Sequence, residues 1–132
     1  MQGFGWPHRF VETPWTEVQD ILNRVIWNER PTYLFDIADS VIESGAPEVL
    51  AATTSMHDLV VAPRPPGEPP LDVVIVRAPG SLNEPPAGMV RIEHLAVSGH
   101  NTSVDRPMAE AVPLFWRFVE TEFGIQQAGV ES

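Results

Sequence analysis

Residues 71–78, LDVVIVRA, restrict the fold more than any other stretch of the chain. Side chains alternate between the two faces of a strand, so Val73 and Ile75 fall on one side and Val74, Val76 and Ala78 on the other. A strand that is apolar on both faces has to be covered on both. Either the chain wraps the sheet completely, or a second subunit covers one face. On this ground a homodimer is expected.

Two flanking segments extend the sheet. HDLVVA, residues 57–62, is a short apolar run, and GMVRIEHLAV, residues 88–97, alternates at period two. Along the latter Val90, Ile92, His94 and Ala96 share one face, and Met89, Arg91, Glu93, Leu95 and Val97 share the other. The proline-rich connections PRPPGEPP and PGSLNEPPAG read as rigid hairpin loops between strands, not as ligands for aromatic grooves. Three strands joined in sequence order give an antiparallel meander.

Helical periodicity dominates elsewhere. Thr13 suits a cap and Pro14 the first helical position, and Val18, Ile21, Leu22, Val25 and Ile26 recur at helical spacing, predicting a helix to about Glu29. Pro31 forces a break. In PTYLFDIADSVIESG, residues 31–45, the stripe Leu34, Ile37, Ala38, Val41 and Ile42 predicts a second helix ending at Gly45, with a strand over 33–37 as the competing reading. Pro47 opens a short third helix, PEVLAATTS. A long closing helix is expected from about Arg106 to Phe123, with Asp105 as its cap and Gly124 as its stop. Pro113 lies inside it and removes a backbone donor, so a kink near Ala109 or a late start is expected.

Residues 1–12 form an extended aromatic arm carrying Phe4, Trp6, His8 and Phe10, which docks on its own domain or on a second subunit. Residues 125–132 read as a frayed tail. The expected architecture is therefore one α+β domain over 1–132, with N-terminal helices, a three-stranded antiparallel meander sheet and a long C-terminal helix packed on it. A chain of 132 residues buries roughly two-thirds of its unfolded surface, enough to fold without a metal or disulfide.

Composition narrows the partners. The net charge is −10, from 18 acidic residues against eight arginines and no lysine. Binding to nucleic acid or anionic membrane draws on clustered cations, and these arginines are scattered singly, so neither partner is expected. A basic protein would be steered to this surface instead. On the second helix Asp36, Asp39 and Glu43 stack at i, i+3 and i+7 into an acidic stripe, the candidate contact for such a partner. No run is long and apolar enough for a membrane span, and no signal sequence opens the chain, so a cytoplasmic location is expected. With no cysteine there is no disulfide, thiolate metal site or cysteine nucleophile.

The densest polar chemistry lies at the end of the 88–97 segment. Glu93, His94, His100 and Asp105 are the candidate catalytic residues, with His57 and Asp58 at the entry to the first strand. A His–Asp pair made from His94 or His100 with Asp105 would poise a proton transfer if burial brought the groups within hydrogen-bond reach. Glu93 points away from His94 in the alternation. There is no HExxH framework, phosphate loop or nucleophile elbow, and no metal or cofactor is expected. Three functions follow. The first is a non-catalytic protein-binding or accessory module with a basic partner. The second is a small-molecule binder or enzyme with a pocket between sheet and helices that uses His94, His100 and Asp105. The third is a structural subunit of a homo-oligomer.

Overall fold

A computed structural model describes residue 6 and residues 10–25, 33–55, 58–67, 70–78 and 85–125, with the side chains of 23–25 outside that set. The expectations for Phe4, His8, His57, the end of the first helix, the break at Pro31 and the tail lie outside the described residues. The fold is α+β. Two helices, α1 (Trp15–Val25) and α2 (Tyr33–Glu43), precede five strands: β1 (Leu50–Ser55), β2 (Asp58–Pro63), β3 (Val73–Arg77), β4 (Met89–Leu95) and β5 (Thr102–Pro107). Helix α3 (Ala111–Phe123) is the last element among the described residues.

The strands form one antiparallel sheet in the order β1-β2-β3-β4-β5. The meander is thus five strands wide, not three, and the extra strands replace an expected short helix at one end and a polar turn with the first residues of the closing helix at the other. PEVLAATTS makes a single 3-10 turn over Ala46–Glu48 and then β1, which pairs with β2 from Leu50↔Pro63 to Ser55↔Asp58. Ala51 and Ala52 favour helix in isolation, but here both are fully buried on opposite faces of the sheet. At the other end, residues 102–107, of which only Asp105 onward belong to the expected closing helix, form β5, paired with β4 from Met89↔Pro107 to His94↔Thr102. Asp105 is therefore a strand residue facing Arg91, not a helix cap.

The closing helix starts late, after a 3-10 turn at Met108–Glu110. Pro113 then falls in the first turn of α3, where a backbone N–H has no intrahelical acceptor, so its missing donor costs nothing. Gly124 ends α3 in the left-handed conformation, φ 71°. Over 33–37 the backbone is helical, and Leu34, Ile37, Ala38 and Val41 are buried along one stripe.

All three helices lie on one face of the sheet. Val18 and Leu22 of α1, the α2 stripe, and Leu114, Phe115, Phe118 and Val119 of α3 pack on Leu50, Ala52, Leu59, Val61, Val74, Val76, Val90 and Ile92. Phe115 is fully buried and meets Trp116 edge to face at 5.4 Å. Hydrogen bonds tie α2 to the sheet and to α3: Tyr33 donates to the Arg77 carbonyl at 2.8 Å, and Trp116 Nε1 to Ser40 Oγ at 3.0 Å.

The opposite face carries a second apolar cluster of Ala51, Val60, Ala62, Val73 and Ile75, capped by Phe10, Leu71, Trp6 and Leu95. Trp6 and Leu71 exchange two backbone hydrogen bonds, 2.6 and 3.0 Å. Both faces of β3 are thus buried within a single chain, the wrapped-sheet arrangement that the apolar pattern of residues 71–78 demands. The burial that motivated a homodimer is already met without a second copy.

Candidate functional site

The alternation along β4 sends its polar side chains to opposite faces, and each face resolves differently. On the helix side His94 is buried beneath the end of α3, its Nδ1 3.2 Å from Glu122 Oε1 and its ring edge-on to Phe123. Its Nε2 has no hydrogen-bond partner and lies 3.9 Å from a carboxylate oxygen of Asp72, which accepts the Val97 N–H at 2.6 Å through its other oxygen. His94 therefore joins β4 to the last turn of α3.

On the other face a row of ion pairs crosses the sheet. Arg77 donates to Asp58 Oδ2 at 2.9 Å and twice to Glu93 Oε1, at 3.1 and 2.7 Å. Asp58 Oδ1 also accepts the Ala78 N–H at 2.7 Å. Both carboxylates are buried, and one guanidinium links three strands through them. Partial burial works against the charge of Arg77, but the hydrogen bonds and fields of Glu93 and Asp58 prevail and raise its pKa above the ordinary value. Burial, and then the field of Asp58, push the Tyr33 phenol well above its usual range.

One strand further out, Arg91 and Asp105 form a two-point bridge, Nε to Oδ1 at 2.8 Å and Nη2 to Oδ2 at 2.9 Å. The hydrogen bond from Arg91 holds the Asp105 carboxyl below the ordinary aspartate value, and the same bond raises Arg91.

The three residues of the expected proton-transfer pocket are not brought together. His94 faces the helices, Asp105 pairs with Arg91 on the opposite face, and His100 is exposed in the turn between β4 and β5. Glu93 is likewise on the far side from His94, held by Arg77. Asp58 takes part in the ion-pair row. Among the described residues no group of three His, Asp or Glu side chains is placed to hold a metal ion. Nor is any helix of the described residues long and apolar enough to cross a membrane.

The acidic stripe lies on α2 with Asp36 and Glu43 exposed and Asp39 half-buried. Gln19 Nε2 of α1 donates to Asp39 Oδ1 at 3.1 Å, fixing the outer surfaces of the two helices to each other. Glu17 and Asp20 of α1 are also exposed.

Among the clefts lined by described residues, two adjoin β5. One, of about 210 Å³, lies over β4 and β5 between Glu93, Leu95, Asn101, Thr102 and Ser103. The other, of about 180 Å³, runs between α3 and the helix-facing side of β5. Val104, Leu114 and Phe118 form its floor, with Arg106, Arg117 and Glu122 at its margins. Sequence reasoning missed this groove because it placed Arg106 in a helix. The signal available was the period-two run Thr102, Val104, Arg106, in which one apolar residue marks the inner face.

Comparison with known proteins found no family model that matches the chain, no similar curated protein and no similar solved structure.

Proposed function

We propose that this is a non-catalytic protein-binding domain whose partner presents a basic surface to the outer face of α1 and α2. The observation that carries the reading is the Gln19–Asp39 hydrogen bond, which joins the surface of α2, where Asp36 and Glu43 are exposed, to that of α1, where Glu17 and Asp20 are exposed. A single solvated helix face has no need of a fixed neighbour. Two helices locked together at their outer surface present a shaped acidic patch, and such patches raise encounter rates with oppositely charged partners. The chain's charge of −10 strengthens that steering. A non-catalytic role is supported by the ion pairs, in which Asp58 and Glu93 bind Arg77, Asp105 binds Arg91, and His94 contacts Glu122.

The test is capture on the immobilised chain from cells that naturally produce it, at low salt, with elution by rising salt. The expected partner is basic, and its retention falls roughly tenfold or more when Asp36, Asp39 and Glu43 are all replaced by lysine. Failure to capture any partner, or capture that the triple replacement leaves unchanged, would sink the reading.

A further inference from the structure

The groove between α3 and β5 combines three properties that occur together nowhere else among the described residues. The first is an open sheet edge. β5 pairs with β4 on one side, and no described residue pairs with its other side. An unpaired strand edge offers a row of backbone donors and acceptors to an incoming strand.

The second is an apolar floor that continues past the edge. Val104 points to the helix side, and Leu114 and Phe118 of α3 overhang it. Neighbouring strands lie about 4.8 Å apart, so side chains of an added sixth strand would enter the groove beside Val104, under the flank of α3. The apolar layer between helices and sheet would then extend by one strand.

The third is charge. Five arginines have described side chains. Arg64 pairs with Glu12, Arg77 with Asp58 and Glu93, and Arg91 with Asp105. Arg106 and Arg117 have no carboxylate partner among the described residues, and both line the groove. Arg106 reaches only the backbone carbonyl of its neighbour Asp105, at 2.9 Å. Glu122, the acid at the same margin, contacts His94. In a protein with more than twice as many acids as bases, the two arginines without a carboxylate partner among the described residues therefore both lie at the open edge.

We propose that this groove binds an extended acidic segment of a partner protein. The segment adds a sixth strand to β5, seats an apolar side chain on Val104, Leu114 and Phe118, and sets carboxylates on Arg106 and Arg117. Strand addition of this kind takes affinity from main-chain hydrogen bonds and specificity from alternate side chains. A second copy of the chain is disfavoured as occupant, because pairing two β5 edges brings Arg106 toward its own kind and supplies no carboxylate run for Arg117. The site is distinct from the acidic face of α1 and α2, takes a partner segment of opposite charge, and stands or falls separately.

A random dodecapeptide display library panned on the immobilised full chain tests it. The expected enrichment is for sequences alternating apolar residues with Asp or Glu. A synthetic copy of the leading sequence should protect from exchange those amides of residues 102–106 that point away from β4. Its dissociation constant should rise roughly tenfold or more in the Arg106→Glu, Arg117→Glu double variant. Both residues are exposed, so that variant should retain the circular dichroism and melting of the parent. Replacing Asp36, Asp39 and Glu43 by lysine should leave this peptide's binding intact, which separates the two surfaces. The proposal is overturned by any of three results: no enrichment, leaving Asp105 and Arg106 as guards of the edge; enrichment of Lys- or Arg-rich peptides; or binding indifferent to the double variant. Enrichment of basic peptides that the α2 replacements abolish would overturn it while upholding the acidic-face reading.

Discussion

At its β1 end the sheet is finished by the chain's own N-terminal residues, whereas at its β5 end no described segment covers the edge. Thr13 donates its backbone N–H to the Ala52 carbonyl at 2.8 Å, and Trp15 of α1 sends its indole N–H to the Leu50 carbonyl at 2.8 Å. Phe10 and Trp6 cover the adjoining part of the opposite face. Toward β5 that same face carries ion pairs instead of aromatics, and the outer strand is exposed at four of its six positions. A one-ended sheet of this kind separates stability from availability. The β1 end uses apolar burial and satisfied backbone groups to hold the fold, and the β5 end keeps backbone groups and two arginines accessible.

The largest effect that tests this contrast is at Trp15, which is 4% exposed. Trp15→Ala should lower unfolding free energy by about 3–5 kcal/mol in urea titrations, since a large core side chain and a hydrogen bond are lost together. Val104→Ala, at the other end, should cost about 1 kcal/mol, because only two methyl groups in a partly open site are removed. Equal costs at the two positions would show that both ends are packed alike.

The ion-pair row gives an intermediate effect. Glu93→Gln keeps the shape of the side chain but takes a charge from the buried pairing with Arg77, and should cost about 1–3 kcal/mol. Arg77 then keeps its 2.9 Å hydrogen bond to Asp58. A neutral outcome would show that the row is replaceable paving and that the apolar cluster alone holds this face.

The architecture was legible where one side-chain period was strong. The two-sided apolar run of residues 71–78 announced a wrapped central strand, and the stripe Leu34, Ile37, Ala38 and Val41 announced α2. β1 and β5 were hidden for different reasons. In β1 the buried residues are small alanines that carry no strand preference, and their burial depends on pairing with β2, a long-range contact invisible in local sequence. In β5 a single apolar residue, Val104, faces the core, so the strand is specified mostly by its partner β4. The site residues show the same limit. Alternation correctly separated Glu93 from His94, yet it gave no register between β4 and β5, and so could not show that Asp105 meets Arg91 on the face away from His94.

The smallest effect belongs to that Arg91–Asp105 bridge, and pH isolates it. Asp105 has a folded pKa below its ordinary value, so above about pH 4 the carboxylate is ionised in folded and unfolded chains alike and its stabilisation is fully present. As pH falls below that value the unfolded chain takes up a proton that the folded chain resists, and the contribution fades as pH passes through the depressed folded pKa. The stability difference between the parent and Asp105→Asn should therefore be flat near neutrality and shrink as pH drops below about 4. High salt at neutral pH should shrink it too, because Asp105 and Arg91 are both partly open to solvent. The matching measurement is paired urea titrations across that range. A difference that persists unchanged into strong acid would mean that Asp105 supports β5 through its shape and not its charge. The outer edge of the sheet would then be held by backbone pairing to β4 and side-chain packing with no ionic contribution, which would sharpen the contrast with the clamped β1 end.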